Sequence, residues 1–162
     1  MGYTHYWGFK GKVAPKDLKD GKEKFATASA RVVRAVNLLQ EKGVVELAGG
    51  SGRGPVIINE NEILFNGKGA ESCESFWIGV NVHNIWDGFC KTERLPYDIA
   101  VCLTLLIFKD VFGDDFSYSS DGVTKESIID PEHLEYWKSI NWEPKVEDEW
   151  LAAYKFYEEN KI

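Results

Sequence analysis

Hydrophobic spacing divides this chain into short alternating runs and longer helical ones. Residues 2–9 alternate, with Tyr3, His5 and Trp7 on one face and Thr4 and Tyr6 on the other, which predicts a first strand. Residues 22–42 change period: Phe25, Ala28, Val32, Val36 and Leu39 recur at three- and four-residue steps, and Gly43 supplies a stop. Val44–Ala48 reads as a short strand. Val56–Ile58 and Glu62–Phe65, separated by Asn59-Glu60-Asn61, read as a hairpin, with Asn66-Gly67 as a turn. Glu74–Val82 carries Phe76, Ile78, Val80 and Val82 in alternation, with Ser75, Trp77, Gly79 and Asn81 on its other face.

The second half favours helices. Pro96 begins one over 96–112, with Asp98 in its first turn and Ile99, Cys102, Leu103, Leu106, Ile107 and Val111 as its buried stripe. Phe116–Ser119 reads as a strand entering a Ser120-Asp121-Gly122 turn. Asp130-Pro131 starts a helix over 131–139, and residues 146–160 form an amphipathic one with Trp150, Leu151, Tyr154 and Tyr157 inward. The irregular order predicts a single α+β domain over residues 1–162, a mostly antiparallel sheet of about 4–6 strands against two long helices and a C-terminal helix.

Composition narrows the class. A chain of 162 residues with 44% hydrophobic content is expected to fold around one core, which excludes a disordered chain. The longest apolar stretch, Ile99–Phe108, is far short of the roughly 20 residues that span a bilayer. The start, Met1-Gly2-Tyr3-Thr4-His5-Tyr6, lacks the pattern of a signal peptide, so a cytoplasmic location is expected. Nineteen Lys and Arg against 26 Asp and Glu give a net charge of -7, which argues against nucleic-acid or membrane partners. Cys73, Cys90 and Cys102 form no CxxC pair and read as reduced thiols, Cys90 as a buried structural one.

Chemistry concentrates in a few places. Gly49–Pro55 is the most flexible reading in the sequence; it lacks a GK[ST] ending, so it reads as a mobile hairpin or cover loop, or else as a ligand-closing loop bearing Arg53, rather than as an NTP-binding loop. In Phe89–Asp98, Lys91, Thr92 and Arg94 precede a helix start, where an anion is favoured; the competing reading has Thr92 capping locally and Lys91 solvated. Ser117–Gly122 offers hydroxyls and one carboxylate that suit sugar hydroxyls, although such residues are first of all turn formers. Among the three histidines no HExxH, HxH or His/Cys cluster appears, so the spacing supplies no zinc site. His133 reads as a surface residue and His83, beside Asn81 and Asn84, as a loop residue. His5, among Tyr3, Tyr6 and Trp7, suits either ligand contact or a satisfied core position.

Gly2-Tyr3-Thr4-His5-Tyr6-Trp7, Phe65-Asn66-Gly67 with Glu74-Ser75-Phe76, Phe89-Cys90-Lys91-Thr92 with Pro96-Tyr97-Asp98, and Ser119-Ser120-Asp121-Gly122 together resemble, over residues 2–122, the successive motifs of a family of small proteins of bacteria and their phages that has no established activity. The family pattern carries basic residues where Glu93 and Leu95 stand here. The resemblance implies that these polar and aromatic positions belong to one site, and a host-cell cytoplasm where a phage encodes the chain.

The expected function is therefore a small-molecule binding protein for a nucleotide-derived ligand, acting in a phage setting as a sponge for a host immune signal. Tyr3, Tyr6, Trp7, Trp77 and Tyr97 would supply stacking, Lys91, Thr92 and Arg53 phosphate contacts, and Thr4, His5, Asp98, Ser119, Ser120 and Asp121 hydrogen bonds. No cofactor or metal is implied, and the sequence admits a homo-oligomer. One alternative is a metal-independent hydrolase or phosphodiesterase using His5, Lys91 and Asp98. Another is a protein-interaction module with an acidic face.

Overall fold

The computed structural model describes residues 2–83 and 88–162. Met1 and Asn84, the latter named with His83 above, lie outside the described residues. Strand β1 (Thr4–Phe9) is followed by helix α1 (Gly21–Glu41) and by strands β2 (Leu47–Ala48), β3 (Ile57–Ile58), β4 (Glu62–Gly67), β5 (Phe76–Gly79) and β6 (Gly88–Lys91). Helix α2 (Asp98–Phe112), strand β7 (Phe116–Ser120), and helices α3 (Lys125–Ile129), α4 (Pro131–Ser139) and α5 (Asp148–Glu159) complete the chain. The α+β class is as expected, with the strands divided between two antiparallel sheets.

In the first sheet β1 is central, paired with β6 and β7 in the order β6-β1-β7. Its register sets His5 opposite both Cys90 and Ser120, and Tyr6 opposite both Phe89 and Ser119. In the second, β4 pairs with β2, β3 and β5. Glu74 joins the two sheets, because its N–H donates to the Lys91 carbonyl at 3.1 Å while its Oε2 accepts from the Lys91 N–H at 2.7 Å. Residues 88–91, part of a stretch read only as leading into a helix start, form the edge strand β6, because their backbone completes the ladder to β1. Only Leu47–Ala48 of the 44–48 run is strand. The five-residue α3 was not evident in the sequence; Thr124 and Ser127 close it with a reciprocal capping box.

Helix α2 is buried on nearly every side. Ala100, Val101, Leu103, Leu105, Ile107 and Phe108 are all sealed, whereas Ile99, Leu106 and Val111 of the expected stripe are only half-buried. The reason is its position: α1, α5 and β7 all pack against it, so it has no polar face to show. In α5 the expected inward set is also turned. Trp150 anchors between His5 and Tyr118, and the rotation this fixes buries Ala153, Tyr154 and Phe156 while leaving Leu151 in solvent and Tyr157 half-buried. Arg31 and Arg34 of α1 donate to the carbonyls of Asn160, Lys161 and Ile162, fastening the chain just beyond α5 to α1.

The glycine-rich loop is folded against the second sheet. Gly49 donates to the Gly54 carbonyl at 3.0 Å, and a Cβ at Gly49 would stand 2.4 Å from the Pro55 carbonyl oxygen, so only glycine closes this loop. Ser51 N–H donates to Ser75 Oγ at 3.1 Å, and Arg53 is exposed beyond it. Among the described residues no helix is long and apolar enough to cross a membrane.

Candidate functional site

The alternation of β1 splits the predicted site residues between two faces. Tyr3, His5 and Trp7 point inward and are buried, while Tyr6 is 39% exposed on the outer face. A single pocket cannot take both sets from one flat strand.

Beneath the sheet, the inward face meets the start of α2. His5 has no solvent exposure; its Nε2 hydrogen-bonds Asp98 Oδ1 at 2.6 Å, and its Nδ1 has no partner among the described residues. The Thr92 hydroxyl donates to the same Asp98 oxygen, and Cys102 Sγ lies 3.4 Å from Asp98 Oδ2 and 3.7 Å from His5 Nε2. Tyr3 and Trp150 present their rings edge-on to the imidazole, with centroids 5.0 and 5.3 Å away. Burial pushes the Cys102 thiol well up, and the Asp98 carboxylate adds to this, so Cys102 is held as a thiol in the metal-free protein.

These residue types suggest a Cys-His-Asp nucleophile set, but the geometry does not make one. A relay needs the carboxylate on one ring nitrogen and the nucleophile on the other. Here both face Nε2, and all three side chains are sealed. Tyr97 is likewise a packing residue, its hydroxyl donating to the Glu74 carbonyl at 2.7 Å. Cys90 is buried, with its thiol pushed up to about 12 by loss of hydration.

Two of the three residues expected to meet phosphate, Lys91 and Thr92, are engaged in other contacts. Lys91 Nζ pairs with Glu93 at 2.9 Å, and the Thr92 hydroxyl serves Asp98. Arg94, which sequence reasoning placed only as a neighbour, lies 4.0 Å over the Tyr3 ring and pairs with Glu149 at 2.7 Å. Glu93 and Arg94 both adopt left-handed backbone (φ 56° and 59°), closing a tight turn from Thr92 to Leu95.

Above the sheet, Tyr6 stands opposite its cross-strand partner Phe89, which is 61% exposed. Trp77 is 45% exposed on the second sheet, and with Phe89 it lines a groove of about 180 Å³. Asp121 fastens the end of β1: its Oδ2 accepts from the Thr4 N–H at 3.0 Å and its Oδ1 from the Tyr6 hydroxyl at 3.1 Å.

The turn that carries Asp121 also forms one wall of a cleft of about 340 Å³. Ser119, Ser120 and Asp121 line this wall, and Thr124, Ser127 and Asp130 the side formed by α3 and the start of α4. The lining also includes an aromatic group: His133 stacks on Trp137 (5.5 Å, 20°), and Trp137 meets Trp142 edge-on at 5.5 Å. At Gly122 a Cβ would lie 2.4 Å from the Tyr3 hydroxyl, so glycine lets the turn sit directly on the core. No lysine or arginine among the described residues lines the cleft.

Ser119, Ser120 and Asp121 are therefore brought to the cleft, with Thr4 and Tyr6 attached to it through Asp121. His5, Thr92, Tyr97 and Asp98 gather in the core with Tyr3. Trp7 is buried among the aromatics, and Trp77, Lys91 and Arg53 stand outside both groups. His133, Trp137 and Trp142 were missed, although a tryptophan four residues after a histidine on a short helix was a readable stacking pair. Comparison with protein-family models, curated proteins and solved structures gives no match to this chain.

Proposed function

We propose that the protein binds a small molecule with a planar face and hydroxyl groups, the nucleoside part of a nucleotide-derived ligand, in the cleft between the β7 turn and α4. The carrying observation is that one cleft is lined both by the aromatic cluster of His133, Trp137 and Trp142 and by the hydroxyls and carboxylate of Ser119, Ser120 and Asp121. The aromatic cluster suits a base, and the polar residues suit ribose hydroxyls. A volume of about 340 Å³ lies within the range of small-molecule sites. Because Asp121, Glu126 and Asp130 line the cleft without a lysine or arginine among the described residues, a phosphate has no counter-ion inside it and must project outward.

The test is quenching of tryptophan fluorescence by the four ribonucleosides and their 5′-monophosphates. Each bound nucleoside is expected to bind about tenfold more tightly than its monophosphate, a difference of about 1.4 kcal/mol. Loss of quenching in Trp137→Ala is also expected. Tighter binding of the monophosphates, or unchanged quenching in the variant, would overturn the reading. In a phage setting the role proposed for such binding is sequestration, for which ligand is recovered intact after denaturation. A converted product would assign a hydrolase instead, with His133, whose Nδ1 is 4.0 Å from Asp130, as the base at hand in the cleft.

A further inference from the structure

Three donors of different chemistry converge where β1 crosses the first turns of α2. Asp98 and Cys102 are four residues apart on the helix and so share a face, and His5 meets them from the centre of the sheet. Their ligand atoms all lie within 4.8 Å of one another. Cys102 Sγ stands 3.7 Å from His5 Nε2 and 3.4 Å from Asp98 Oδ2. In a tetrahedral zinc site with bonds of about 2.0–2.3 Å, neighbouring donors are roughly 3.3–3.6 Å apart.

Hydrogen bonding uses less of this arrangement than an ion would. Nε2 carries a single proton or a single lone pair, yet it faces both Asp98 Oδ1 at 2.6 Å and the Cys102 sulfur. Asp98 is 3% exposed, and its ring-nitrogen partner is His5 Nε2. A divalent cation held by a carboxylate, a thiolate and a neutral imidazole is a neutral unit, the form that a buried site tolerates. The Thr92 hydroxyl already holds Asp98 Oδ1, which leaves Oδ2 directed at the sulfur, as an orienting outer shell does.

We propose that His5, Asp98 and Cys102 form a zinc site that ties the central strand to α2. The mixed N, O and S donors suit zinc, whereas magnesium and calcium take oxygen. Binding displaces the Cys102 proton to solvent and moves any proton on Nε2 to Nδ1, so each ion bound to the neutral-imidazole form releases one proton. The site is separate from the cleft and stands or falls independently of ligand binding there.

Full-length untagged protein, purified without chelator, is expected to contain one zinc per chain by elemental mass spectrometry. Refolded with cobalt(II), it should show the near-ultraviolet thiolate-to-cobalt band and intense visible bands of a tetrahedral site. Cys102→Ser should lose the near-ultraviolet band and Cys73→Ser should keep it. Should Cys102→Ser fail to fold, refolding of the wild type with and without EDTA decides. Substoichiometric zinc with no cobalt band, and the same unfolding midpoint in EDTA, would overturn the proposal and leave a hydrogen-bonded core cluster. Retention of the band in folded Cys102→Ser would overturn it too, by placing the ion elsewhere.

Discussion

At the scale of single residues, Thr92 shows how a polar side chain becomes structural. Its hydroxyl donates to the buried Asp98 carboxylate, and its N–H donates to the Tyr3 carbonyl at 2.9 Å. Thr92→Val keeps the shape and the backbone bond but removes a hydrogen bond to a charged acceptor. The expected cost is about 1.5–3 kcal/mol by guanidinium unfolding, and a loss below about 0.5 kcal/mol would contradict it. The turn that follows holds Glu93 and Arg94 at positive φ, which costs about 1–2 kcal/mol per residue for side chains with a Cβ. It sets Arg94 on the Tyr3 ring and beside Glu149. Of this cluster, sequence showed that His5 shares a face with Tyr3 and Trp7, and that Asp98 opens a helix. It did not show that they meet, because 93 residues separate them and contact at that distance leaves no mark on local periodicity.

Among elements, α4 and α5 are nearly opposite cases. Helix α4 buries no residue, and Ile129 before it is 73% exposed, Tyr136 on it 60%. Substitutions such as Tyr136→Ser are expected to move stability by no more than about 0.5 kcal/mol. In α5, Trp150 is fully buried against His5, Tyr118 and Tyr154, and Trp150→Ala should cost about 3–5 kcal/mol. Thermal unfolding of both variants tests the contrast, and equal losses would refute it. Periodicity placed 131–139 correctly because Asp130 and Pro131 are strong start signals, and Asp130 does accept from the N–H groups of Glu132 and His133. Periodicity misjudged the rotation of α5, since the face it buries is chosen by where Trp150 lodges rather than by the helix itself. It also passed over β6, whose extended shape depends on pairing with β1.

For the molecule as a whole, burial raises the titration of several groups in the same direction. Tyr3, Tyr97 and Tyr118 are held well above their ordinary range by loss of hydration, and Cys90 is pushed up to about 12. Above the ordinary thiol value of 9 the unfolded chain releases protons that the folded protein retains. Stability is therefore fully present below about pH 9 and declines as pH rises toward 12. Guanidinium midpoints measured from pH 8 to 11 should fall, and a flat or rising profile would contradict this.

Strand β1 has one more consequence. Every second side chain serves the core and the others serve the outer surface, so the strand behaves like a reading frame. Removing one residue within Thr4–Phe9 would exchange His5 for Tyr6 against α2, and no single point mutation could restore both faces. The segment between α4 and α5, residues 140–147, has no such frame to keep. Chains shortened by one residue there should still fold, whereas chains shortened within β1 should not, and deletion scanning by soluble yield would display this chain's phase-sensitive stretch directly.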